Sequence, residues 1–143
     1  MKELDWKEEY SLAIPAIDLQ HKRIFDCIKT IAGGSTKDDG LLAEFAVVKL
    51  LGLLQEHFAL EESMMRTLSY PELDRHILEH REFQADVHEI AQKHLRTKQK
   101  ISREAIKSAQ RWMRDHILTS DKHYFDFFAS AAHKSAVKKR AAK

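Results

Sequence analysis

The segment HFALEESMMRTLSYPELDRHILEH, from His57 to His80, constrains this chain more than any other. It carries His57-x-x-x-Glu61 and His76-x-x-x-His80 on either side of a Ser69-Tyr70-Pro71 break. Residues i and i+4 of a helix lie one turn apart on one face, about 6 Å along the axis. Each pair therefore aims two metal-binding side chains in one direction. Taken alone, the pairs could serve two separate mononuclear sites.

The flanking sequence supplies further helices of the same kind. Ile14, Ile17, His21, Ile24, Ile28 and Ile31 recur at spacings of three and four, a helical seam with His21 in one of its core positions. Asp18 is the expected N-cap of this first helix, which should end near Ile31 or Ala32. Residues 33–40, rich in Gly, Ser and Asp, read as a loop. A second helix is expected from about Leu41 to Leu68, with a seam of Leu50, Leu54, His57, Glu61, Met64/Met65 and Leu68. Pro71 falls near the first turn of a third helix, from about Glu72 to Leu95. Its seam is Leu73, His76, His80, Phe83, Val87, Ile90 and His94. After a polar connection at 96–100, a fourth helix starts at Ser102 as N-cap, with Ile106, Ala109, Trp112/Met113 and His116 facing inward.

The ends read differently. Pro15 opposes a helix running through it, so residues 1–16 are expected to form an extended N-terminal arm. Tyr124, Phe125, Phe127 and Phe128 predict a short C-terminal helix or turn covering one end. Residues 133–143 are basic and poor in large apolar groups, and are expected to be a flexible, solvated tail. The fold expected is all-α: one domain over residues 1–143, an antiparallel up-down-up-down four-helix bundle joined by short loops. A level check supports it. Glu61 lies nine residues before Tyr70 and His80 ten after it, while His80 and His116 each lie 18 residues from Lys98. At about 1.5 Å per residue these groups meet at nearly one height.

Composition narrows the function. At 143 residues, 43% hydrophobic and 32% charged, the chain can bury a real core. Its net charge of +2 gives no footprint for nucleic acid. No apolar run approaches the ~18 residues of a membrane span, so no stable membrane insertion is expected. The charged start MKELDWKEEY and the single Cys27 fit a cytoplasmic protein. The unusual feature is nine histidines.

Six candidate ligands thus lie on four inward faces: His21, His57, Glu61, His76, His80 and His116. Imidazoles mixed with a carboxylate suit iron, zinc, copper or nickel better than magnesium or calcium. Five histidines are too many for one ion with an open position, which favours a carboxylate-bridged dinuclear site. A second carboxylate should come from the fourth helix. Asp121 lies five residues after His116, an offset of about 140° on a regular helix. It can join only if the helix ends, unwinds or widens between them.

The order His21, His57-Phe58-x-x-Glu61, His76-x-x-x-His80, His116-Ile117-x-x-x-Asp121 resembles the hemerythrin family, most of all its single-domain bacteriohemerythrins. Ile17-Asp18-x-Gln20-His21-Lys22, Glu61-Glu62, Tyr70-Pro71 and Trp112 agree with it. The resemblance implies two iron ions (Fe2+/Fe3+) with an oxo or hydroxo bridge. His76, His80 and His116 would hold one, His21 and His57 the other, with Glu61 and Asp121 bridging. It implies reversible dioxygen binding, for storage, delivery or buffering, rather than enzyme catalysis. The oxygen pocket would be walled by Phe58, Trp112, Met113 and Ile117, with Met113 where the family usually carries leucine. The alternatives are a di-iron redox enzyme acting on peroxide, nitric oxide or ferrous iron, and an oxygen or redox sensor. A redox or oxygen-accepting protein partner would remain to be identified.

Overall fold

A computed structural model of the chain describes residues 2–34 and 40–141. The helices are α1 (Pro15–Gly34), α2 (Gly40–Thr67), α3 (Leu73–Thr97), α4 (Arg103–His116) and α5 (Lys122–Ala141). A π turn, Ile117–Asp121, joins α4 to α5 without breaking the helical backbone. α1 packs on α2 and α4, and α2 packs on α3. α3 and α4 meet through large side chains, Phe83 stacking on Trp112 at 3.9 Å between ring centroids. Lys98, just past α3, pairs with Glu44 in the first turns of α2 at 2.8 Å, so these two helices run antiparallel. The result is the expected all-α bundle. No described helix is long and apolar enough to cross a membrane.

The seam residues are buried or half-buried as their spacing predicts, with two exceptions. Leu68 is 46% exposed, because α2 ends one residue before it. On α3 the buried row passes from Val87 to Ala91 and His94, leaving Ile90 at the surface. A helix has 3.6 residues per turn, so a seam of threes and fours drifts and must shift by one position over several turns.

The N-terminal arm is not simply extended. It forms short 3-10 turns at Lys2–Leu4 and Glu8–Tyr10, and it buries Leu4, Tyr10 and Leu12 in the main core. Pro15 does not precede the helix but opens it, since its fixed φ and missing N–H suit a first helical position. Asp18 is therefore no N-cap. It sits inside the first turn and reaches back, accepting from the Leu12 amide at 2.9 Å and the Ser11 hydroxyl at 2.5 Å. This ties the arm to α1.

The glycine-rich connection is shorter than expected. Gly33 and Gly34 belong to α1 and Gly40 opens α2, while the rest of the expected loop, 35–39, lies outside the described residues. The C-terminal helix is longer than the short cap expected: α5 has 20 residues. Its second half is rich in Ala and Lys, strong helix formers, which carries the helix on beyond His133. Its first half covers one end of the bundle, where Tyr124 and Phe128 bury against Met65 and Tyr70.

Ser102 caps α4 as its position predicts, its hydroxyl accepting from the Ala105 amide at 3.1 Å. Ser102→Ala should cost about 1 kcal/mol, read as a lower urea midpoint with an unchanged slope.

Candidate metal centre

Seven buried side chains converge from four helices and the π turn. They are His21 on α1, His57 and Glu61 on α2, His76 and His80 on α3, His116 ending α4, and Asp121 ending the π turn. None is more than 5% exposed. A π turn closes its hydrogen bonds at i→i+5, so it widens the helix by one residue. That returns Asp121 to the face of His116, with Asp121 Oδ1 3.1 Å from His116 Nε2. The five-residue step that a regular helix forbids is thus met by local widening.

The donor atoms form two groups that share Glu61 and Asp121. His76, His80 and His116 belong to one group, His21 and His57 to the other. His57 Nε2 lies 2.5 Å from Glu61 Oε1, and His21 Nε2 lies 3.4 Å from Asp121 Oδ2. His76 Nε2 is 3.2 Å from Asp121 Oδ1, and His80 Nε2 is 3.4 Å from Glu61 Oε2. Two imidazole pairs face each other nitrogen to nitrogen: His21 with His57 at 2.9 Å and His80 with His116 at 3.0 Å.

The chemistry of this donor set fits cations. All four oxygens of Glu61 and Asp121 are buried without a hydrogen-bond partner, as is His76 Nε2. Three histidines are turned by their far nitrogens. His57 Nδ1 meets Gln20 Oε1 at 2.7 Å, His80 Nδ1 meets Glu62 Oε1 at 3.3 Å, and His116 Nδ1 meets Glu79 Oε2 at 3.0 Å. A carbonyl or carboxylate oxygen can only accept, so each Nδ1 carries a proton, and each Nε2 turns a lone pair inward once the ring is neutral. Inward lone pairs beside unpartnered carboxylate oxygens are costly to bury unless a positive charge lies among them.

The chain's match to a family model, the hemerythrin HHE cation binding domain, spans residues 12–128. The chain belongs to the hemerythrin family. It is 30% identical over 119 residues to a myohemerythrin of Theromyzon tessulatum, covering 83% of this chain and 88% of that protein. It is 28% identical over 127 residues to a bacteriohemerythrin of Clostridium acetobutylicum, covering 85% and 98%. A bacteriohemerythrin of Stenotrophomonas maltophilia is 27% identical over 125 residues, covering 86% and 80%.

In this hemerythrin chain Phe58, Met113 and Ile117 are buried in the core. Phe58 stacks on His80 with ring centroids 3.9 Å apart. Trp112 is less enclosed than a pocket wall suggests. It is half-buried, stacks on His116 at 4.5 Å, and lines an open groove of about 460 Å³ that reaches His76 and His116 from outside.

Sequence reasoning passed over Glu79, named Gln20 and Glu62 only as agreeing with the family resemblance, and placed Tyr124 only in the aromatic cover of one end. The first three each adjoin a cluster residue in sequence: 20 beside 21, 62 beside 61, 79 beside 80. One residue is about 100° of helix, enough to turn a side chain from the centre toward the neighbouring helix. That adjacency is the available signal, and it marks many bystanders as well. Tyr124 is fully buried and its hydroxyl has no hydrogen-bond partner. Burial, and then the charges of Glu61 and Asp121, push its phenol far above the usual range.

Electrostatics predict opposite pH trends for the metal-free chain and for metal uptake. Burial pulls His21 and His116 down, but Asp121 and Glu61 outweigh it and hold them at about 9 and about 10. The stabilisation they bring is full below the ordinary histidine value of 6.5 and is lost as pH rises through 9 to 10. Glu79, held down to about 2 by its hydrogen bond from His116, brings stabilisation that is full above the ordinary value of 4.5 and is lost as pH falls through 2. Metal ligation needs neutral imidazoles, so uptake at His21 and His116 would expel their protons and strengthen over the same rising range. Urea midpoints of metal-free protein should fall, and cobalt(II) affinity should rise, between pH 6.5 and 9. Parallel trends would refute this.

Proposed function

We propose that this chain binds dioxygen reversibly at a non-haem di-iron centre, serving as a store, carrier or buffer. The observation that carries the reading is the unequal sharing of the donor set. Three histidines and two histidines form separate groups around the same two buried carboxylates. His76, His80 and His116 would hold one iron and His21 and His57 the other, with Glu61 and Asp121 shared between them. The two-histidine group offers one protein donor fewer, so an ion held there would have room for a small ligand. A pair of ferrous ions supplies, when bound, the two electrons that dioxygen borrows and returns. The names of the relatives, myohemerythrin and bacteriohemerythrin, support the same reading.

The chain's own residues shape what such a centre does. Gln20, Glu62 and Glu79 fix the rings of His57, His80 and His116, so ligation needs little reorganisation. Phe58, Met113 and Ile117 present apolar atoms that exclude water and proton donors. Tyr124 stays a neutral phenol beside the carboxylates and adds no charge there.

Mixing anaerobic diferrous protein with oxygen in a stopped-flow spectrometer tests the function. A visible charge-transfer band that forms on oxygenation and disappears under vacuum supports a carrier. Rapid bleaching with turnover of a reductant or peroxide would make it an enzyme instead. Met113 gives a narrower test. Its thioether is flexible and oxidisable, so Met113→Leu should lengthen the life of the oxygenated form several-fold at unchanged iron content. An unchanged autoxidation rate removes Met113 from the pocket.

A further inference from the structure

The hydrogen bonds behind the histidines differ between the two halves of the centre. On the three-histidine side, His116 Nδ1–H donates to Glu79 and His80 Nδ1–H donates to Glu62, both carboxylates. On the two-histidine side, His57 Nδ1–H donates to the neutral amide oxygen of Gln20, and His21 Nδ1 is buried with no hydrogen-bond partner. One half is backed by two anions and the other by none.

This difference has an electronic consequence. A carboxylate accepting from Nδ1–H draws the proton toward itself and leaves more electron density on the ring, which makes Nε2 a stronger donor to a metal. A stronger donor favours the higher oxidation state. Of the two anions, Glu79 lies closer to its histidine. Its distance to His116 is 3.0 Å, against 3.3 Å for Glu62 and His80. Other donors draw charge from both anions: Arg81 forks onto both oxygens of Glu62 at 3.1 and 3.2 Å, while Ser120 donates to Glu79 Oε2 at 2.6 Å and Arg75 lies 3.7 Å from Glu79 Oε1. Glu61 and Asp121 are common to both halves and do not discriminate. The third histidine acts in the same direction as the two anions.

We propose that Glu79, with Glu62, and Gln20 set the order in which the two irons change oxidation state. The three-histidine iron keeps the ferric state and the two-histidine iron accepts the first electron. This rests on the di-iron reading above. The diferric centre takes one electron at the two-histidine iron to give a mixed-valent pair. A second electron at the three-histidine iron gives the diferrous centre. In the test, both electrons come from an electrode through mediator dyes.

The experiment is a redox titration of iron-loaded wild type, Glu79→Gln and Gln20→Glu, after the iron content of each has been measured. Glu79→Gln should raise the second potential and leave the first nearly in place. Gln20→Glu should lower the first and leave the second. Each moves its own equilibrium by about tenfold, or 59 mV for one electron, and each narrows the range in which the mixed-valent form accumulates. A merely structural role for these residues would move both potentials together or neither. Glu79→Gln acting on the first potential, or Gln20→Glu widening the range, overturns the assignment. Wild-type protein that does not hold two irons sinks the di-iron reading and this inference with it. Two irons with unmoved potentials sink the inference alone.

Discussion

Glu61→Gln should abolish loading of the paired site while leaving the helices intact. Glu61 is fully buried, lies between both histidine groups, and has neither oxygen in a hydrogen bond. Its carboxylate is held well down by the histidines around it despite its burial, so it enters the site as an anion. Residues that only orient a ligand are worth about 10–100-fold in metal affinity, so loss of a shared ligand should exceed that range at both ions. The amide keeps the volume and shape of the carboxylate, and packing does not suffer. Iron content and circular dichroism decide the matter. Glu56→Gln, five residues away on the exposed face of α2, is the control and should load normally. Full iron content in Glu61→Gln would remove it from the ligand set.

Phe25→Ala should be the most destabilising single change away from the centre. Phe25 is fully buried on α1 and stacks on Tyr10 of the N-terminal arm, with ring centroids 5.6 Å apart and planes at 25°. Tyr10 meets Trp6 edge to face at 6.2 Å, so one ring anchors the aromatic part of the arm. Truncation to alanine costs about 3–5 kcal/mol in lost transfer energy and cavity. That is a large share of the ~5–15 kcal/mol that holds a domain of this size together. Urea unfolding of metal-free protein measures it, since bound metal would add stability by mass action. Trp6 emission should shift to the red in the variant under native conditions. Phe25→Leu, which keeps most of the volume, should lose far less. A loss below about 1 kcal/mol for Phe25→Ala would mean that the arm refills the space.

Much of this molecule is visible along the chain because two periodicities coincide in it. The apolar seam and the metal-type residues share one spacing, so His21, His57, Glu61, His76, His80 and His116 appear where leucine is otherwise expected. Counting residues from each turn then places them at one height. The arm is less legible. Pro15 and Asp18 have favourable roles on either side of a helix start, and only the burial of Tyr10 and Leu12 against α1 selects between them. Residues that reach across to another helix are less legible again. Only its place beside His80 distinguishes Glu79 from Glu82, a signal that Arg81 shares, yet Glu79 touches His116 and Ser120.

The sequence alone determined the helices, their inward faces and the residue types gathered at one level, because helical periodicity is a local property. Tertiary structure decided how Asp121 joins them. A π turn has no distinctive composition, and ILTSD would sit in a regular helix as readily. It forms here where widening the helix brings a carboxylate to a ring of buried imidazoles, a gain that exists only once the other three helices are in place. The same holds for the unequal backing of the histidines. Whether a ring is held by Glu79 or by Gln20 depends on which neighbouring helix passes within hydrogen-bond reach, and a single helix carries no record of that.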